Sequence, residues 1–172
     1  MTKGLIVIGY QGIGKSSISK NNDKIIDLES SNFKINNERV IYWHIIYCKI
    51  AIDLAKQGYI VCVSSHKDVR NEFEMYLPSK DFDIVTIHPI LELKEEWLKR
   101  LSSRLAIDPI DKNWYAYIGA KNNYENEIKS FYNSAIRHIA LATTNYDLKE
   151  IINNYKRFPM SYTVIDTDNE KE

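Results

Sequence analysis

Gly9-Tyr10-Gln11-Gly12-Ile13-Gly14-Lys15-Ser16 follows directly on the apolar run Leu5-Ile6-Val7-Ile8. The eight residues match G-x-x-x-x-G-K-[ST] in full. The glycines let the backbone curl so that its N–H groups point inward, at the oxygens of a phosphate. A helix opening at Gly14 would add its positive N-terminal end. The expected cradle is Gly9, Gln11, Gly12, Ile13 and Gly14. Lys15 would reach the terminal phosphates and the Ser16 hydroxyl would ligate Mg²⁺, with Ser17 beside it. The motif lies after an apolar strand and before a helix, which is the context this chemistry needs.

Strands and helices alternate outward from the loop. Short apolar or β-rich runs at 5–8, 24–28, 59–64, 82–88 and 136–142 read as strands. Between them, helical patterns run over 14–20, 40–57, 68–77 and 91–104. Gly58 is placed to stop the second of these. In the last, Trp97, Leu98, Leu101 and Leu105 share one face. Residues 29–38 read as polar turns. Residues 106–123 carry no assignable pattern, and 124–134 reads as a further helix. Thr144 with Asp147 makes a capping-box-like start for a helix over 147–155. The tail Thr167-Asp168-Asn169-Glu170-Lys171-Glu172 is expected to fray. Alternation of this kind predicts a parallel sheet covered on both faces, in one domain. Ligands of such sheets bind beyond the carboxyl ends of the strands. Functional residues are therefore expected near 9–16, 27–31, 64–70 and 88–92.

The 172 residues carry 23 Lys and Arg against 23 Asp and Glu. That balance gives no large basic footprint for nucleic acid or an anionic membrane. No apolar run approaches the roughly 20 residues of a membrane span. The stretch MTKGLIVIGYQG lacks the length of a signal-peptide core. Cys48 and Cys62 lie far apart in apolar contexts, read as buried free thiols of a reducing cytoplasm.

The loop alone leaves hydrolysis, phosphoryl transfer and simple binding open. The guanine-specifying N-K-x-D is absent; Asn145-Tyr146-Asp147 has the wrong spacing. No D-x-x-G switch is present. The third strand ends Val63-Ser64-Ser65, where a motor ATPase would place an aspartate. Transfer is favoured by two clusters. Asp27 and Glu29 alternate on an extended segment and would face a ligand together. The alternative is that Glu29 is solvated and Asp27 caps a turn. Arg100 and Arg104 stand four apart on one helix face and would neutralise charge on a transferring phosphoryl group. The alternative is an exposed basic face paired with Glu96 and its neighbours.

At this point the chain resembles the nucleoside monophosphate kinases. The resemblance rests on the loop, on WLKRLSSR (97–104) and on ALATTNYDLKEII (140–152). WLKRLSSR is similar to the helix leading into the lid of adenylate kinase-like enzymes. That likeness implies that Arg100 lies near the base of ATP and that Arg104 contacts phosphates. It implies that Thr143, Thr144 and Asn145 back the adenine. It further implies five parallel strands in the order 2-3-1-4-5, a lid over 105–123, and ATP with Mg²⁺ as cofactors. Segments such as DLESS, VSSHK and LKEEW resemble those of small bacteriophage and low-GC bacterial kinase-like proteins.

The family's D-G-F-P-R after the third strand is replaced here by Ser64-Ser65-His66-Lys67-Asp68-Val69-Arg70. Arg70 would clamp an acceptor phosphate or remain a surface arginine, and His66 reads as a polar loop residue. Arg39 is a second candidate for the acceptor phosphate. Tyr42 and Trp43 would stack on a base or pack on a helix face. The expected activity is transfer from ATP to a nucleoside or deoxynucleoside monophosphate, in a cytoplasmic monomer or homodimer. Two rivals stand. One is a kinase of a small hydroxylated molecule, since Asp27-x-Glu29 resembles the D-x-D of shikimate kinase-like enzymes. The other is a non-catalytic ATP-binding module.

Overall fold

Six consecutive buried residues form strand β1 (Gly4–Gly9), which carries the chain into the glycine loop. The computed structural model describes residues 3–35 and 38–166. The expectation that the tail 167–172 frays lies outside the described residues. By compactness the chain falls into two units. One holds the residues up to Tyr10 with Gly14–Thr86; the other holds Gln11–Ile13 with the residues from Ile87 onward.

In the first unit, β1 leads through the loop to the short helix α1 (Lys15–Ser19) and then β2 (Ile25–Asp27). A 3-10 turn at Ser30–Phe33 and the two-residue strands β3 (Lys34–Ile35) and β4 (Glu38–Arg39) follow. Helix α2 (Trp43–Lys56) then returns the chain to β5 (Ile60–Ser64). Strand β5 pairs in parallel with β1 on one side and β2 on the other, with Leu5 and Ile25 both opposite Ile60. α2 packs its buried Tyr47, Cys48, Ala51, Ile52 and Ala55 inward. It comes so close to β1 that a Cβ on Gly4 would overlap the Ala55 carbonyl. Helix α3 (Lys67–Glu74) follows β5 and buries Val69, Arg70 and Phe73.

Strand β6 (Phe82–Pro89) runs through the division at residues 86 and 87. The second unit continues with a 3-10 turn (Leu91–Leu93), α4 (Lys94–Ile107), α5 (Asp111–Tyr132), β7 (Arg137–Leu141), α6 (Leu148–Arg157) and β8 (Tyr162–Val164). α6 buries Leu148, Ile151, Ile152 and Tyr155 at helical spacing. Its N-cap is Asp147, whose side chain accepts from the Glu150 amide at 3.2 Å. The crossover through α6 lets β8 lie parallel to β7.

The architecture is α/β, with a mostly parallel sheet and helices on its faces. Among the described residues the main sheet has six strands rather than five. The observed order β2-β5-β1-β6-β7-β8 is the expected order extended by an edge strand, and β3 and β4 form a separate antiparallel pair. These additions are two or three residues long, too short to show a period. The segment expected as a lid, 105–123, is the end of α4, a brief connection and the first half of α5. Ala116, Ala120, Tyr124, Ile128 and Phe131 form one buried stripe along α5. Asn, Gly and aromatic residues dilute that stripe and hide it from a window reading. Buried Asn113 secures the connection by donating to the Asp108 carbonyl at 2.8 Å.

Candidate functional site

The carboxyl ends of β1, β2 and β5 gather the candidate residues of the first unit. The loop leaves β1 at Gly9, which lies opposite Ser64 at the end of β5. Gly12 and Gly14 take φ of 87° and 107°, a region that L side chains rarely enter. Lys15 folds back over the loop, and its Nζ donates to the Gly9 carbonyl at 2.6 Å. Ser16 and Ser17 are exposed on the first turn of α1.

Asp27 ends β2, half-buried and level with Cys62. Burial pushes the Cys62 thiol up to about 12, opposed by the Lys15 charge and helped by Asp27. Cys48 is likewise free, buried and raised by burial. Glu29 immediately precedes the 3-10 turn. Between these two acids, the Leu28 carbonyl accepts from the Tyr47 hydroxyl at 2.6 Å. The same hydroxyl accepts from the Ser64 amide at 2.9 Å. One phenol on α2 therefore ties together the exits of β2 and β5.

The turn after β5 collects both arginines expected at an acceptor. Arg70 is buried, and its Nε donates to the Ser65 carbonyl at 2.9 Å. Arg39 reaches the same turn from β4, its Nη2 lying 2.8 Å from His66 Nε2 and 3.5 Å from Ser30 Oγ. Its guanidinium carbon stands 4.3 Å from the centroid of the Trp43 ring, a cation–π contact. Trp43 also packs on Phe33, Tyr47 and the edge of His66. Trp43 is buried in this aromatic group, whereas Tyr42 is exposed.

Within the second unit, α4 and the turn after β7 hold its own loop residues Gln11–Ile13. The indole of Trp97, buried on α4, donates to the Gln11 carbonyl at 2.8 Å. The Tyr146 hydroxyl donates to the Ile13 carbonyl, also at 2.8 Å. Their rings lie near parallel, 6.4 Å apart. Arg100 contacts both, with its guanidinium carbon 5.1 Å from the Trp97 centroid and 5.5 Å from that of Tyr146. Burial pushes the Tyr146 phenol up to about 12, and the Arg100 charge opposes that rise. A Cβ on Gly12 would stand 2.9 Å from Leu101 Cδ2 and 3.3 Å from Trp97 Nε1. Glycine at position 12 is thus demanded twice, by φ and by space. Arg104 is half-buried one turn beyond Arg100, and Thr144 is exposed after β7.

Comparison with protein-family models and with curated proteins returned no match.

Tyr47, Trp97 and Tyr146 as hydrogen-bond donors were not legible beforehand. Helical spacing places Trp97 in the core, and Asn145-Tyr146-Asp147 lacks guanine-motif spacing; neither pattern marks a hydrogen bond to the loop. Among the described residues there is no cluster of three His, Cys, Asp or Glu suited to a metal. Nor is any described helix long and apolar enough to cross a membrane.

Proposed function

We propose that this chain transfers the γ-phosphoryl group of ATP to a nucleoside or deoxynucleoside monophosphate. The observation that carries the reading is the loop itself. Two left-handed glycines shape it, Lys15 bends over it, and α1 begins directly behind it. Backbone amides from Gly9 to Gly14 would hold the β- and γ-phosphates, and Lys15 would exchange the Gly9 carbonyl for phosphate oxygen.

Mg²⁺ fits this donor set only as an ion carried by the nucleotide, with the Ser16 hydroxyl as the protein's ligand. When bound it neutralises phosphate charge. In the reaction, an acceptor phosphate oxygen forms a bond to the γ-phosphorus while the bond to the β-γ bridging oxygen breaks, leaving ADP. An acceptor that is already an anion needs no strong base. Asp27 and Glu29 would orient the acceptor, and Arg39 and Arg70 would meet its phosphate. Arg104 would meet phosphate, and Arg100 would meet the base of ATP, with Thr144 alongside.

The half-buried guanidinium of Arg39 favours an anionic acceptor over a merely hydroxylated one. The test incubates the protein with ATP, Mg²⁺ and a panel of ribo- and deoxynucleoside monophosphates, measuring ADP. Stimulation by one or a few members is expected, and Lys15→Ala should remove it. ADP formation indifferent to every member, or fully retained in Lys15→Ala, overturns the proposal.

A further inference from the structure

Arg39 is a cation that feels the charge of Asp68 but touches no carboxylate among the described residues. Its buried Nε has no hydrogen-bond partner among them. Burial lowers its pKa, so the charge is held there at a cost. Its close polar partner is an imidazole. A guanidinium has donors only. The 2.8 Å contact therefore needs a lone pair on His66 Nε2 and puts the ring proton on Nδ1. While paired with Arg39, His66 is neutral.

The charges facing that ring are Arg39 from β4, Lys15 from α1, Lys34 from β3 and Asp68 from α3. Three are positive and one is negative. Loss of water beside Trp43 and Arg39, then the surrounding positive charge, hold the imidazole down at about 4, although the residue as a whole is exposed. Burial first, and then repulsion from the cations, keeps a further proton off the ring.

We propose that Arg39 and His66 form the binding site for the acceptor's phosphate, and that the anion takes Arg39 from His66 while His66 takes up a proton. The proton comes from solvent and bonds to Nε2, the nitrogen Arg39 vacates. His66 then donates from both nitrogens. The dianion receives charge-assisted bonds from a guanidinium and an imidazolium, each stronger than a neutral one. Its own charge makes that protonation favourable. The identity of the acceptor rests on the function proposed above; anion binding at this pair does not.

The test uses sulfate, a dianion that does not itself titrate near neutrality. Binding to the full chain is measured by calorimetry at pH 5.5 in two buffers of different ionisation enthalpy, because His66 at about 4 is neutral there and a neighbouring anion raises that value by about 1–3. The expected result is net proton uptake on sulfate binding, larger at pH 5.5 than at pH 7. His66→Gln, which keeps an acceptor for Arg39, should bind sulfate without uptake. Arg39→Gln should weaken binding on the order of tenfold or more. Wild-type protein that binds no sulfate, or binds it with no proton uptake, overturns the inference. So does uptake that persists in His66→Gln. Sulfate held at the glycine loop instead would show as affinity unchanged by Arg39→Gln, and this also overturns it. No nucleotide is present, so a failed kinase assay and a failed anion site are separate results.

Discussion

Tyr47 shows how much a single hydroxyl organises. It donates to the Leu28 carbonyl and accepts from the Ser64 amide, groups that leave two neighbouring strands. Tyr47→Phe keeps the ring among Phe33 and Trp43 but strips both backbone groups of their partner. An unsatisfied buried polar group costs about 1–3 kcal/mol. Tyr47→Phe should therefore lower unfolding stability by roughly that amount, read as a reduced urea midpoint with an unchanged slope. An unchanged midpoint would mean that the hydroxyl does not hold the strand ends. At this scale the glycine loop was legible because its chemistry is local, eight residues in a row. Tyr47, Trp97 and Tyr146 were not, because their partners lie far off in the chain. Trp97 meets a carbonyl 86 positions away and Tyr146 one 133 positions away. No period or short motif encodes such a pair.

The elements that could be read were those with long, clean periods. α4 follows its expected stripe, and α2 forms where a helix was expected and buries Cys48, Ile52 and Ala55 at helical spacing while Ile45 faces out. α6 also forms where expected, but its cap is Asp147 itself, bonded to Glu150, and not Thr144. α5 was half-read because its stripe of small and aromatic residues begins inside a stretch that looks polar. β3, β4 and β8 are too brief to carry alternation. The close approach of α2 to β1 was also invisible, since a glycine opening a strand usually signals only a turn. It yields a direct expectation. Gly4→Ala places a methyl on the Ala55 backbone carbonyl, which has no side-chain freedom with which to yield. Helix or strand must shift, and overpacking of this kind costs about 1–3 kcal/mol or more. Thermal unfolding of Gly4→Ala should begin well below that of the wild type. A matching melting curve would show that α2 and β1 can separate freely.

For the molecule as a whole, the alternation of strands and helices foretold an α/β sheet, because each parallel connection needs a crossover. Acid should weaken the folded chain through a residue the sequence did not single out. His88 is fully buried, donates from Nδ1 to the Pro89 carbonyl at 2.8 Å and places Nε2 2.9 Å from His138 Nδ1. Burial keeps the ring neutral near pH 7. Burial, with some repulsion from His138, pushes it down to about 4, against about 6.5 in an unfolded chain. Between those values the unfolded chain binds more protons, so stability is full above pH 6.5 and falls as pH drops toward 4, by roughly 3 kcal/mol. Burial moves His138 in the same direction. Urea midpoints at pH 7.5, 6 and 5 should decline in that order, and His88→Phe should flatten the slope. Equal midpoints at pH 7.5 and 5 would contradict this account. The division of the chain has a consequence for any attempt to take it apart. The backbone passes from one unit to the other after residues 10, 13 and 86, so no single cut separates them. A fragment ending at Thr86 would keep every residue of the glycine loop yet lack Trp97 and Tyr146, whose donors pin Gln11 and Ile13. Reconstitution from two such pieces would have to rebuild the loop's anchorage in trans.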